Sequence, residues 1–189
     1  MLLAFFKPYG VLTQFTPDQP GQRTLADFEF PPRVYPLGRL DLDSEGLLLL
    51  SDEAGLNSRL LDPSAAHPRT YCAEVEGIPT PSALNALRHG GIDLKGHRTL
   101  PCRANLLDAA PALPPRDPPV RFRKSIPTSW LELTLIEGKN RQVRRMTAAV
   151  GFPTLRLVRT AIGKLTLGEL HPGEWKDLTT LERDLIWQR

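Results

Sequence analysis

Only two cysteines, Cys72 and Cys102, occur among 189 residues. They form no CxxC pair and have no pair of histidines beside them, so neither a disulfide framework nor a zinc site is indicated. No apolar run approaches the roughly 20 residues of a membrane span. The opening Met1-Leu2-Leu3-Ala4-Phe5-Phe6 stops at Lys7-Pro8 without the basic lead-in and cleavage site of a signal peptide. It reads as a first core strand in a cytoplasmic protein. No GxxxxGK[ST] or GxGxxG loop is present, which leaves nucleotide-dependent chemistry unsupported. Heptads are lacking too, and nothing calls for a partner chain, so a monomer is expected.

What remains is an ordinary globular composition, 41% hydrophobic and 24% charged. A chain of this length forms one compact domain over residues 1–189, or two small lobes sharing one sheet. The net charge of +3 hides an uneven distribution: from Arg116 to Lys164 there are 11 Lys+Arg against 3 Asp+Glu, leaving 13 against 18 elsewhere. A basic end of this kind is an electrostatic footprint for a polyanion such as nucleic acid, the bland alternative being a solvated surface.

Hydrophobic patterning gives strands at 2–6 and 11–15, separated by the turn Lys7-Pro8-Tyr9-Gly10, and a short helical turn at 24–30. Leu47 to Leu50 form an apolar run too short for a lone helix and read as a strand buried on both faces. A helix is expected over 52–61 with Leu56, Leu60 and Leu61 on one face, ended by Asp62-Pro63. A strand at 71–75 closes at Gly77, and Thr80-Pro81 cap and start a helix that stops at Gly90. Residues 111–119 carry five prolines and can join neither a helix interior nor a central strand, which makes them a stiff connection or an exposed loop. Trp130 to Ile136 alternate as a half-buried strand. Asn140 to Gly151 spans a helix whose inner face is Val143, Met146 and Val150, with Arg141 and Arg145 opposite and Arg144 on the flank, best placed to reach inward. The tail 178–189 reads as a short helix carrying Leu181, Leu185 and Trp187.

The densest chemistry lies in Gly38-Arg39-Leu40-Asp41-Leu42-Asp43-Ser44-Glu45-Gly46, which places an arginine and carboxylates at the mouth of the Leu47–Leu50 strand. On composition, Asp41 is either a catalytic carboxylate or a solvated turn residue. The GRLD-x-D-[ST]-x-GL string resembles the signature of the pseudouridine synthases, which isomerise uridine in RNA. Glu137-Gly138-Lys139-Asn140-Arg141-Gln142-Val143-Arg144-Arg145-Met146 resembles a second signature of the group acting on small- and large-subunit rRNA. Arg69-Thr70-Tyr71 between them is similar to that family's basic-x-Tyr strand, with Arg69 where a lysine is usual. The runs Arg123-Lys124-Ser125-Ile126-Pro127-Thr128-Ser129-Trp130 and Gly151-Phe152-Pro153-Thr154-Leu155-Arg156-Leu157 look like the E branch of the synthases acting on large-subunit rRNA, in which no S4-type RNA-binding module precedes the catalytic region.

The resemblance implies an α+β enzyme with a mixed, mainly antiparallel central sheet flanked by helices. It implies that Arg39 enters the space left by an extruded uridine, that Tyr71 stacks on the extruded base, and that Asp41 acts on the ribose as nucleophile at C1′ or base at C2′. Arg144 is the expected charged partner that orients the carboxylate, a bidentate task that lysine does not reproduce. Arg69, Arg123, Lys124, Lys139, Asn140, Arg141 and Arg145 are the expected RNA grip, within 23S rRNA or a large-subunit assembly intermediate. The reaction breaks one glycosidic bond and makes another without redox change, so no cofactor and no metal are expected. Asp43 and Ser44 are assigned to loop hydrogen bonding, because a lone DxD without a third ligand is weak support for a metal. Two rivals remain at this point: a non-catalytic RNA-binding or ribosome-assembly module, and an N-glycosidase that releases free base.

Overall fold

The structure is a computed structural model that describes residues 1–120 and 125–188. In chain order its strands and helices are β1 (Leu2–Lys7), β2 (Tyr35–Pro36), β3 (Glu45–Ser51), α1 (Leu56–Leu61), β4 (Arg69–Glu76), α2 (Pro81–His89), β5 (Arg103–Leu106), β6 (Thr128–Leu135), α3 (Gln142–Ala149), β7 (Thr154–Ile162), β8 (Leu165–Thr166), β9 (Trp175–Asp177) and α4 (Thr180–Ile186). This is an α+β fold with a mostly antiparallel sheet. The chain divides into two compact units, one of residues 1–67 and 159–189 and one of residues 68–158. The division falls inside β7, while the proline cluster at 111–119 lies within the second unit.

In the first unit the strand order is β7, β3, β1, β9, with β2 added beside β3 and β8 beside β7. β1 and β3 pair antiparallel from Leu2 opposite Ser51 to Lys7 opposite Gly46, and every residue of both strands is buried. Burial on both faces explains why both read as continuous apolar runs, even though the pairing is antiparallel. An aromatic cluster covers one end: the Phe5 ring lies 4.9 Å from Phe28 and 5.0 Å from Phe30, and Trp175 Nε1 donates to the Phe28 carbonyl. The helical turn expected at 24–30 is a 3-10 turn, Leu25–Phe28, closed by a Thr24–Asp27 capping box.

Two expectations fail here. Residues 11–15 form no strand, only a single parallel bridge between Val11 and Arg23. Gly10 at φ +74 turns the chain, and Leu12 and Leu25 spend their amides on Arg23 and Gln14 carbonyls. The helix expected from residue 52 begins only at Leu56, because Gly55 is left-handed and Asp52 and Glu53 serve instead to pair the N-terminal ammonium at 2.7 and 3.2 Å. Leu60 alone of its three leucines is buried, and Leu61 is exposed.

In the second unit the order is β5, β6, β4, β7. β4 pairs antiparallel with β6 from Arg69 opposite Leu135 to Glu76 opposite Thr128. Residues directly opposite share a face, so Ala73, Val75, Leu131, Leu133 and Leu135 form one apolar surface. Leu84 and Leu87 of α2 and Val143 and Met146 of α3 cover it. Thr80 caps α2 by accepting from the Ala83 amide, with Pro81 at its first turn and Gly90 at its end, as the sequence predicts. α3 is capped differently from expectation. Arg141 at φ +49, not Asn140, is the residue before the helix and makes no side-chain cap bond, while Gln142 reaches back to accept the Lys139 amide at 2.9 Å.

One glycine is indispensable to this geometry. Gly46 has φ +105, and a Cβ there would lie 2.7 Å from the Arg159 amide nitrogen and closer still to its carbonyl oxygen. Overpacking against immovable backbone adds to left-handed strain. Gly46→Ala is therefore expected to lower unfolding stability by about 2–4 kcal/mol in urea titration; a loss below about 0.5 kcal/mol would show that β3 and β7 are not in close contact at this point.

Candidate active site

Asp41 occupies the loop that enters β3 and belongs to the first unit, as does Arg39; Tyr71, Arg69 and the whole 137–145 signature belong to the second. Asp41 is half-buried and Arg39 exposed. The loop is held mainly through its backbone. The Ser44 amide donates to the Asp41 carbonyl at 3.0 Å and the Gly10 amide to the Leu42 carbonyl at 2.8 Å. The Thr13 hydroxyl donates to the Leu40 carbonyl at 2.6 Å and accepts from the Leu40 amide at 3.2 Å. Ser44 thus takes part in the loop through its amide; its buried hydroxyl has no hydrogen-bond partner among the described residues.

Beneath this loop lies Lys7, wholly buried, a position rare for lysine. Its ammonium donates to the Val11 carbonyl at 2.7 Å and the Pro8 carbonyl at 2.9 Å. Burial pulls its pKa down to about 7, against the opposing pull of the nearby Glu45, Asp43 and Asp41 carboxylates. Arg159 is buried as well, its Nε donating to the Leu47 carbonyl at 2.7 Å. Two cations and three carboxylates therefore cluster around the start of β3. In the sequence the carboxylates stand out, whereas Lys7 reads as part of a turn and of a Lys7-Pro8 pair resembling the opening of the family's catalytic domain, since a lone lysine next to proline carries no signal of burial.

In the second unit Tyr71 shares the face of β4 that carries Ala73 and Val75 and packs, half-buried, against the core surface completed by Val143 and Met146 of α3. Arg69 lies on the same face of β4, and its guanidinium stands beside Gly138, so it joins the loop carrying the exposed Lys139, Asn140 and Arg141. That loop is organised by Glu137. Its carboxylate accepts from Gln142 Nε2 at 2.6 Å and the Leu100 amide at 2.7 Å, and it pairs with His97 Nε2 at 2.8 Å. Arg144 is half-buried on the helix flank, as expected, with Nη1 donating to the Thr154 carbonyl at 3.2 Å.

Two placements correct the sequence reading. Arg145 is not on an open face: it is half-buried and its guanidinium donates to the Leu94 carbonyl. On a helix it lies about 60° from Gln142, which is itself buried. The basic stretch from Arg116 to Lys164 also does not act as one surface, because Arg156 and Arg159 are buried and bond to the carbonyls of Pro114 and Leu47. Arg123 and Lys124 lie outside the described residues. Among the described residues no cluster of His, Cys, Asp or Glu could hold a metal ion. The Cys102 thiol is pushed up to about 11, mainly by burial, which disfavours the reactive thiolate.

The Lys7 shift has a testable sign. Its folded pKa lies below the ordinary lysine value, so between about pH 7 and 10 the unfolded chain binds the extra proton and folding gains from rising pH. The stability of wild type relative to Lys7→Met is expected to increase across that interval in paired denaturation curves; a flat difference would mean that Lys7 titrates as if exposed.

Comparison with known proteins bears on the family of this chain. A family model described as RNA pseudouridylate synthase matches residues 1–149. The chain is 55% identical over 177 residues to ribosomal large subunit pseudouridine synthase E of Xanthomonas campestris, covering 93% of this chain and 94% of that one. It is 52% identical to the protein of the same name from Vibrio vulnificus, covering 94% and 75%. A crystal structure described as a pseudouridylate synthase superposes with a TM-score of 0.80 at 26% identity, covering 98% of this chain and 73% of that one. Sequence signatures, sheet and relatives agree, and the chain belongs to the RNA pseudouridylate synthase family.

Proposed function

We propose that this protein isomerises uridine to pseudouridine at a single site in 23S rRNA, in the free RNA or a large-subunit assembly intermediate. The observation that carries the proposal is the backbone-fixed Asp41 loop at the start of β3, in a chain that covers 94% of a 55%-identical large-subunit synthase. A carboxylate held on a rigid strand end is suited to a reaction that needs one well-placed group.

In the proposed mechanism the target nucleotide leaves its stack, at a cost of a few kcal/mol. Arg39 fills the vacated space. Tyr71 stacks on the extruded base, a contact of about 1–3 kcal/mol. Asp41 attacks C1′ or removes the C2′ proton as the N1–C1′ bond breaks; the uracil turns, and C5 bonds to C1′ as the Asp41–C1′ bond breaks or as the proton is returned to C2′. The C5 proton is released and N1 gains one, so atoms and charge balance without a cofactor. Arg144 orients Asp41. Arg69, Lys139, Asn140 and Arg141, with Arg123, Lys124 and Arg145, grip the RNA, chiefly through phosphates. Arg145 would do so indirectly as well, since it braces the turn at Leu94. The protein would act as a cytoplasmic monomer; no helix among the described residues is long and apolar enough to cross a membrane.

Carbodiimide-dependent reverse-transcription mapping of 23S rRNA tests this reading. Wild type is expected to give one new stop, and Asp41→Asn to lower its single-turnover rate by about a thousandfold or more with RNA affinity retained. Equal stops from both proteins would remove Asp41 from the chemistry. Arg144→Lys is expected to slow the same rate by at least about tenfold, because an ammonium cannot orient both carboxylate oxygens; an unchanged rate would exclude Arg144 as the orienting group.

A further inference from the structure

The loop around Asp41 contains four successive peptide planes, and each is held by at least one hydrogen bond. The plane between residues 39 and 40 is held by the Leu40 amide donating to the Thr13 hydroxyl at 3.2 Å. The plane between 40 and 41 is held by the same hydroxyl donating to the Leu40 carbonyl at 2.6 Å. The Ser44 amide fixes the plane between 41 and 42 through the Asp41 carbonyl, and the Gly10 amide fixes the plane between 42 and 43 through the Leu42 carbonyl. The last two anchors are backbone amides, which side-chain substitution does not remove. Thr13 supplies the other two from a single side chain 27 residues away.

We propose that Thr13 is a positioning residue for the reaction, setting the orientation from which the Asp41 side chain reaches the ribose. This inference rests on the assignment of Asp41 as the reacting carboxylate. Orientation about the N–Cα bond of Asp41 is defined by the peptide plane before it, which is one of the two that Thr13 holds. Thr13 is suited to the task because its own platform is bonded in place. It is buried, its neighbour Leu12 donates to the Arg23 carbonyl at 2.9 Å, and the buried Lys7 ammonium holds the Val11 carbonyl at 2.7 Å. Leu40 is buried too, so water cannot easily replace a lost hydroxyl there. Misplacement of a reacting group by about 1 Å is enough to slow a reaction about a hundredfold.

The test compares Thr13→Val, which keeps the shape and removes both bonds, with Thr13→Ser, which keeps the hydroxyl, on the 23S rRNA substrate that wild type modifies. Single-turnover rate, RNA dissociation constant and melting temperature are measured for each, with Asp41→Asn alongside. The expected result is a fall of about 10- to 100-fold in the rate of Thr13→Val with RNA affinity within about twofold, and recovery to within about threefold of wild type in Thr13→Ser. If Asp41→Asn is inactive while Thr13→Val keeps the wild-type rate, the positioning role is wrong and the Asp41 assignment stands. If Asp41→Asn keeps the wild-type rate, the underlying assignment fails and the role of Thr13 with it. Should Thr13→Val not fold, Thr13→Ala takes its place at a temperature where it is folded; an alanine rate equal to that of serine overturns the proposal.

Discussion

The fully buried pairing of β1 with β3 is the constraint on which the rest depends. It sets Lys7 opposite Gly46, and Gly46 in turn lies against the backbone of Arg159 with no room for a side chain. The loop that enters β3 therefore begins from a point that cannot shift. Its remaining freedom is removed by residues 10–13, which leave β1 through the Lys7-Pro8 turn and return bonds to Leu40 and Leu42. Ordering a loop costs about 1–2 kcal/mol per residue in conformational entropy, and here the cost is met by core burial on either side. The placement of the Asp41 loop is thus a by-product of packing in two buried, apolar strands.

Burying Lys7 under a loop with three carboxylates has a second consequence. An ammonium in the core is unfavourable unless it is bonded or neutral, and Lys7 is drawn toward neutrality while donating to two carbonyls. It braces the turn from Pro8 to Val11 without putting a solvent-exposed charge beside Asp41. The second unit uses a carboxylate for the same purpose. Glu137 ties the turn at His97 and Leu100 to Gln142 at the head of α3, leaving Lys139, Asn140 and Arg141 exposed. In both units charged side chains organise backbone, and a different set faces outward.

Much of this was legible in the sequence where local pattern and tertiary environment agree. Leu47 to Leu50 read correctly because nothing but a buried strand accommodates that run between Gly46 and Ser51. Thr80, Pro81 and Gly90 marked α2 because capping is chemistry of adjacent residues. Legibility ended where distant partners decide. β7 was not recognised, since Arg156 and Arg159 interrupt its apolar pattern; only the carbonyls of Pro114 and Leu47, far away in sequence, make their burial tolerable. Arg145 looked solvated for the same reason, its acceptor being the Leu94 carbonyl. Residues 11–15 read like a strand yet serve as a platform, because Gly10 redirects them toward Arg23 and Leu40. Asp41, Tyr71 and Arg144 are candidates that motifs alone single out, whereas Lys7 and Thr13 emerge only from the contacts they make.

The central claim, isomerisation without release of the base, is tested most directly by tritium release from 23S rRNA labelled at C5 of its uridines. Forming the C5–C1′ bond expels the C5 hydrogen while the ring stays in the chain. The account predicts tritium release that levels off at about one equivalent per rRNA molecule, with no free uracil and the chain intact. Free uracil without tritium in water would show glycosidic cleavage, and binding with neither product would show an RNA-binding protein; either result would contradict it.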